Sequence, residues 1–132
     1  MHNFSSDNIR IFRNVFSEEH RESINVFLER PLWRYGHVTG SGNTNAPPFW
    51  IMQLGRDKLF AETLVQPIRE ATGDDFKVLS VYANGQTYGL GGQPHEDGYD
   101  ERARTFLWYA NGAWDVRWNG KTCFIFDNGP VW

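Results

Sequence analysis

The chain has 132 residues and a formal net charge of −3, the length of one domain and a balance without the basic stripe that tracks nucleic acid. Its single cysteine, Cys123, excludes an intramolecular disulfide and a thiolate zinc site. Residues 1–7 lack the basic start and apolar run of a signal peptide, and no stretch approaches the ~20 apolar residues of a membrane span, so the expectation is a soluble, cytoplasmic protein without a membrane partner.

Aromatic residues make up 16% of the chain and Gly occurs 13 times, which favours strands joined by tight turns, a balance that a sugar-binding β-sandwich shares. Residues 9–12, Ile-Arg-Ile-Phe, read as a short strand. Ser17 can cap a helix with Glu18 and Glu19 in its first turn, Ile24, Phe27 and Leu28 at helical spacing, and Pro31 as its stop. His20 and His37 have no suitably spaced second ligand nearby and read as exposed polar residues. Residues 40–48 are polar and rich in breakers, hence a loop. Asp57 can cap a second helix, in which Phe60, Leu64, Ile68 and Ala71 share a face and Gly73 ends it. Pro67 falls inside that pattern and predicts a kink or a split, with Pro67 opening a new turn.

After Asp75 the period becomes two. Phe76, Val78, Ser80 and Tyr82 share one face of a predicted strand, and Lys77, Leu79, Val81 and Ala83 share the other, with Asn84-Gly85 as its turn. Residues 86–98 are a glycine-rich approach in which Gly89, Gly91 and Gly92 leave room for a substrate or a sharp bend, or serve as a linker. Residues 104–111 predict a second strand, with Thr105, Leu107 and Tyr109 on one face and Phe106, Trp108 and Ala110 on the other. Residues 114–118 form an aromatic loop or short strand, Asn119-Gly120 is a hairpin-type turn, residues 121–127 alternate again, and residues 127–130 break that strand.

The residues with chemistry to offer lie in Gln93-Pro94-His95-Glu96-Asp97-Gly98. If this stretch is extended, His95 and Asp97 project to one side and Glu96 to the other. A nitrogen and a carboxylate oxygen then converge, supplying two of the three ligands of the 2-His-1-carboxylate triad that holds Fe(II) with open positions. The motif is short enough to arise by chance, and an exposed turn-forming pair beside Gly98 fits the same letters.

Four stretches carry a family resemblance when taken in order: residues 81–88 (Val-Tyr-Ala-Asn-Gly-Gln-Thr-Tyr), 94–97 (Pro-His-Glu-Asp), 104–111 (Arg-Thr-Phe-Leu-Trp-Tyr-Ala-Asn) and 118–122 (Trp-Asn-Gly-Lys-Thr). Together they resemble the prolyl 4-hydroxylase branch of the 2-oxoglutarate- and Fe(II)-dependent dioxygenases. The resemblance covers residues 76–127 and, through two preceding helices, the N-terminal part more loosely. It implies an α+β fold, a double-stranded β-helix or jelly roll, with helical support in residues 1–75 and the sheet and metal motif in residues 76–132. By that resemblance His95 and Asp97 are iron ligands, and Tyr82 hydrogen-bonds the 2-oxoglutarate carboxylate. Tyr109, with Thr105 and Leu107 on its face, lines the same pocket. Ordinary packing accounts for both tyrosines as well. The implied cofactors are Fe(II) and 2-oxoglutarate, with molecular oxygen as co-substrate, and the implied reaction is hydroxylation of a peptidyl or small-molecule substrate.

The chain departs from the family pattern at three places. Residues 89–93 look like an insertion, Asn119-Gly120-Lys121 stands where the family has Gly-Gly-Glu, and no His follows His95. Arg102, Arg104, Arg117 and Lys121 do not occupy the family's carboxylate-binding position. The expectation is therefore the N-terminal portion of such an enzyme, its jelly roll incomplete at the C-terminus, with open edges that favour self-association or a completing partner. Two other classes suit the same composition: a non-catalytic β-sandwich binding module using exposed Trp, and a metal-free interaction protein.

Overall fold

A computed structural model of the chain describes residues 6–39, 45–98, 100–126 and 129–131. The first helix, α1 (Glu18–Leu28), starts where its cap predicts: the Ser17 side chain accepts the His20 N–H at 3.1 Å, satisfying one of the free donors of the first turn. Glu18 and Glu19 sit in that turn, where the helix dipole favours negative charge. Ile24 and Phe27 are buried along one side of α1.

Three strands follow as an antiparallel meander, β1 (Arg34–His37), β2 (Phe49–Gln53) and β3 (Tyr82–Gly85), in that spatial order. The register Trp50↔Gly85, Ile51↔Asn84, Met52↔Ala83 and Gln53↔Tyr82 sorts their side chains into two faces. Met52, with Leu54 just beyond β2, meets Ile24 and Phe27 of α1 and Phe60 and Leu64, and this cluster is the core. Met52 is wholly buried, and removing such a side chain from water is worth about 1.5–3 kcal/mol. Phe27 and Phe60 meet edge to face with centroids 5.0 Å apart.

Pro67 splits the second helix. Asp57 accepts the Leu59 N–H at 2.9 Å, and Leu59–Thr63 then winds as a π-type turn in which the Leu64 N–H reaches back five residues to the Leu59 carbonyl, at 2.9 Å. The chain restarts as α2 (Val65–Thr72) with Pro67 in the first turn, where its missing N–H forfeits no helical bond. Gly73 closes α2 in the left-handed conformation at φ 73°, a position that costs glycine no Cβ clash. Phe60 and Leu64 are buried as their spacing predicts, Ile68 is half-buried, and Ala71 is exposed; in its place Thr72 is buried, donating its hydroxyl to the Ile68 carbonyl at 2.8 Å.

Several elements differ from expectation. Residues 9–12 form no strand; Arg10 instead ties this segment to the end of α2, donating to the Thr72 carbonyl at 2.9 Å and reaching Asp74 at 3.4 Å. The strand expected over 76–83 is confined to β3, and Asn84-Gly85 is not a turn but its last two residues. A Cβ at Gly85 would stand 3.2 Å from the Trp50 Cβ and 3.3 Å from the Trp33 ring, so a larger residue would need those neighbours to give by a few tenths of an ångström. The turn comes later, where the Leu90 N–H meets the Thr87 carbonyl at 3.1 Å and Gly89 takes φ 79°.

Residues 104–111 alternate but pair with no neighbouring strand, because among the described residues no ladder partner lies beside them. The aromatic loop holds a 3-10 turn, Val116–Trp118, capped by Asp115, and Trp114 and Trp118 meet edge to face, 5.7 Å apart. Asn119 and Gly120 turn the chain with positive φ, and β4 (Phe124–Phe126) pairs with β5 (Gly129–Val131) in a separate hairpin. The strand expected over 121–127 ends at Phe126; of the residues expected to break it, Asp127 and Asn128 lie outside the described residues, and Gly129 and Pro130 belong to the next strand, β5. The expected loop over 40–48 lies largely outside the described residues, which resume at Asn45. No helix among the described residues is long and apolar enough to cross a membrane.

Candidate functional site

The α1 helix and the 59–64 turn pack on the Met52 face of the meander, and the opposite face is partly covered, with Phe49 buried on it. Tyr82 pairs with Gln53 and Asn84 with Ile51, so both lie on the face opposite Met52 and Ala83, and Phe49 shares it by alternation along β2. A local irregularity brings His37 to the same face. In β1 Tyr35 pairs with Trp50, but the next pair is His37 with Phe49, so Gly36, at φ 106°, is an extra residue in the ladder. This bulge reverses the alternation: Tyr35 meets Trp50 with the rings tilted 52° and 5.1 Å between centroids, while His37 turns over and meets Phe49 edge to face at 5.1 Å.

His37, Phe49, Tyr82 and Asn84 border a cleft of about 290 Å³, with Val38, Thr39, Gln86, Gly92, His95, Glu96 and Asp97 completing its rim. His95, Asp97 and Tyr82 are thus brought together as expected. Glu96 borders the cleft too, because residues 91–96 are irregular and the strict alternation of a strand does not apply. Tyr109 and Leu107 are not among the bordering residues; the Tyr109 hydroxyl is hydrogen-bonded to that of Thr122, and Leu107 is exposed. Thr105 reaches the site differently, by donating its hydroxyl to Asp97 Oδ2 at 2.8 Å.

The geometry at His95 and Asp97 is specific. His95 Nδ1 is 2.8 Å from the Gln93 carbonyl oxygen, which can only accept, so Nδ1 carries a proton. The other ring nitrogen, Nε2, faces Asp97 Oδ1 at 3.2 Å. With the proton on Nδ1, Nε2 presents a lone pair toward the carboxylate oxygen, and a metal ion placed between the two would be held by both. Two ligand atoms about 2.0–2.2 Å from one ion and at right angles to each other stand roughly 3 Å apart, close to the observed separation. Gln93 orienting the imidazole and Thr105 occupying the second carboxylate oxygen are the outer partners that metal ligands require. The residues present therefore fit two positions of a metal site. Among the described residues no group of three His, Cys, Asp or Glu side chains is close enough to hold an ion.

Tyr82 has its phenol pKa pushed up, first by burial and then by the negative charge of Asp97, so it keeps its proton and remains a donor. Beyond the site, Arg102 grips Asp100 through its Nε at 3.1 Å and Nη2 at 2.9 Å, holding that carboxyl down at about 2. Arg117 lowers Asp115 in the same way and fixes the turn before Trp118. These basic side chains are thereby committed to neighbouring carboxylates rather than to the cleft. In a larger depression of about 580 Å³ beside α2, Arg69 donates to the Phe76 carbonyl at 2.6 Å and lies 3.5 Å from Asp75.

The residue that sequence reasoning missed is His37. Its signal was Gly36 inside an otherwise strand-like Trp33-Arg34-Tyr35, since glycine interrupting a strand marks a bulge. Compared with family models, with curated proteins and with solved structures, the chain matches none.

Proposed function

We propose that the chain carries the metal- and co-substrate-binding part of an Fe(II)- and 2-oxoglutarate-dependent dioxygenase of the prolyl 4-hydroxylase type. In this reading the three-stranded meander belongs to a double-stranded β-helix. The single observation that carries it is the approach of His95 Nε2 to Asp97 Oδ1 at 3.2 Å, with both groups held from behind by Gln93 and Thr105. Helices packed on one face of the sheet and a cleft on the other support the same reading.

His95 and Asp97 would hold the iron. Together, iron and 2-oxoglutarate supply oxygen activation coupled to oxidative decarboxylation, giving succinate, carbon dioxide and a hydroxylated product. The chain's own contributions are positional. Tyr82 donates its hydroxyl to a ligand carboxylate in the cleft, Phe49 excludes water from one wall, and Thr105 keeps the Asp97 carboxylate from rotating. The presence of a carboxylate at position 97, rather than a vacant position for halide, favours hydroxylation.

The test is a Mn(II) titration followed by electron paramagnetic resonance, with and without 2-oxoglutarate. The expected result is saturable binding that 2-oxoglutarate tightens and that His95→Ala and Asp97→Ala abolish. Failure of the wild-type chain to bind Mn(II), with or without 2-oxoglutarate, would overturn the metal reading. The His95–Asp97 contact would then be an ion pair in a metal-free interaction protein or binding module.

A further inference from the structure

We propose that the cleft receives an alkyl cation, the guanidinium or ammonium head of an arginyl or lysyl side chain on a peptide, with Glu96 as its counter-charge. The inference goes beyond the metal reading and does not rest on it, because Glu96 stands outside the His95–Asp97 pair. Charge is the first argument. The rim carries two carboxylates, Glu96 and Asp97, and no Lys or Arg. Asp97 is already bonded to Thr105 and faces His95. Glu96 is not so engaged: between Asp57 and Asp115, among the described residues, it is the one acidic side chain without a partner. A cleft lined by one sign of charge concentrates ions of the other sign. The field reaches its interior, where Asp97, after burial, helps to raise the Tyr82 pKa.

The walls are the second argument. Phe49 and Tyr82 border the cleft, and aromatic rings attract a guanidinium or ammonium head while covering its alkyl stem. Asn84 and Gln86 add amide oxygens on the same rim, neutral acceptors for a head that has several donors and no acceptor. At about 290 Å³ the cleft is at the small end of the range for ligand pockets, with room for one long side chain. Third, the wall that carries Glu96 is brought in by a glycine. A Cβ at Gly92 would stand 3.3 Å from Thr39 Oγ1 and 3.7 Å from Gln86 Nε2, so a larger residue there would need the opposite wall to give.

The experiment titrates the full, nitrogen-labelled chain in EDTA with N-acetyl-arginine methylamide, its lysine counterpart and the uncharged citrulline and norleucine counterparts, following the amide signals. Butylguanidinium supplies the same head without a peptide. The expected result is a saturable shift at Asn84, Gln86 and residues 95–97 with the arginine or lysine derivative. Affinity should fall about tenfold or more for the uncharged counterpart and in Glu96→Gln, the usual worth of a hydrogen bond between charged groups. Glu96 is exposed, so this variant keeps the core. Glu22→Gln, the same change of net charge on α1, should bind as wild type does. Tighter binding of the arginine derivative than of butylguanidinium supports a peptide as the source, and equal affinity would overturn that source. Citrulline binding as tightly as arginine, wild-type affinity in Glu96→Gln, or no shift at the cleft with either cation would overturn the proposal. Metal is chelated throughout, so these outcomes leave the reading of His95 and Asp97 as metal ligands to its own test.

Discussion

At the scale of single residues, half of the polar atoms of His95 and Asp97 are already engaged. Gln93 claims Nδ1 and Thr105 claims Oδ2, leaving Nε2 and Oδ1 to face one another. Thr105 is thus more than a neighbour: its hydroxyl decides which carboxylate oxygen is free. Replacing it by valine, which keeps the shape and removes the donor, should weaken divalent-metal binding about 10- to 100-fold, the range typical for outer partners of metal ligands. Competition with a fluorescent chelator would show it, and an affinity equal to wild type would reduce Thr105 to a bystander. The pairing of His95 with Asp97 was legible because spacing alone suggests it. The role of Thr105 was legible only as a face of a strand that does not form; its actual contact spans eight residues of irregular chain, for which no periodicity exists to read.

At the scale of elements, the helices were more legible than the strands, of which the expected 76–83 and 121–127 survive only as Tyr82–Ala83 and Phe124–Phe126, for a physical reason. Helix ends are set by local chemistry, and Ser17, Asp57 and Gly73 each act within three or four residues. Strands need partners far along the chain. β2 reads Phe-Trp-Ile-Met without alternation because it is the central strand, and residues 104–111 alternate without a partner to pair with. Asn84-Gly85 misled for a related reason: its glycine lies against Trp33 and Trp50 within a strand, not in a turn.

Gly36 is the element-scale device of the site. A Cβ at that position would meet nothing within 4 Å, so Gly36→Ala should cost only the backbone strain of a disfavoured φ, about 1–3 kcal/mol. It should also turn His37 away from Phe49. Urea denaturation checks the first effect and the loss of contacts between the His37 and Phe49 rings in nuclear Overhauser spectra checks the second; unaltered stability with those contacts intact would mean that the bulge does not depend on glycine.

At the scale of the whole molecule, the chain is unevenly built. Every buried residue described lies between Ile24 and Thr72, and beyond Gly73 none of the described residues is buried. The cleft therefore sits between a packed half, which supplies His37, Phe49 and the sheet, and an open half, which supplies His95 and Asp97. Open surface includes Leu79, Leu107, Val116 and Ile125, each more than half exposed, a distribution that favours further contacts in solution. Hydrogen exchange should follow the division: amides of α1, β2 and α2 should be the slowest, and those of 86–123 should exchange within the dead time or nearly so. Adding Mn(II) and 2-oxoglutarate should slow exchange around His95 and Asp97 by linking the two halves. Uniform protection along the chain would contradict this division.

The central claim, that His95 and Asp97 form a metal-binding pair rather than a proton-bridged one, is tested most directly by nitrogen NMR of the histidine rings during a Zn(II) titration, Zn(II) standing in for iron. On binding, the His95 Nε2 signal should shift, the Nδ1 proton should stay directed at Gln93, and His20 should not change. If His95 keeps the spectrum of an imidazolium paired with Asp97 at saturating Zn(II), the pair is an ion pair and the metal assignment is wrong.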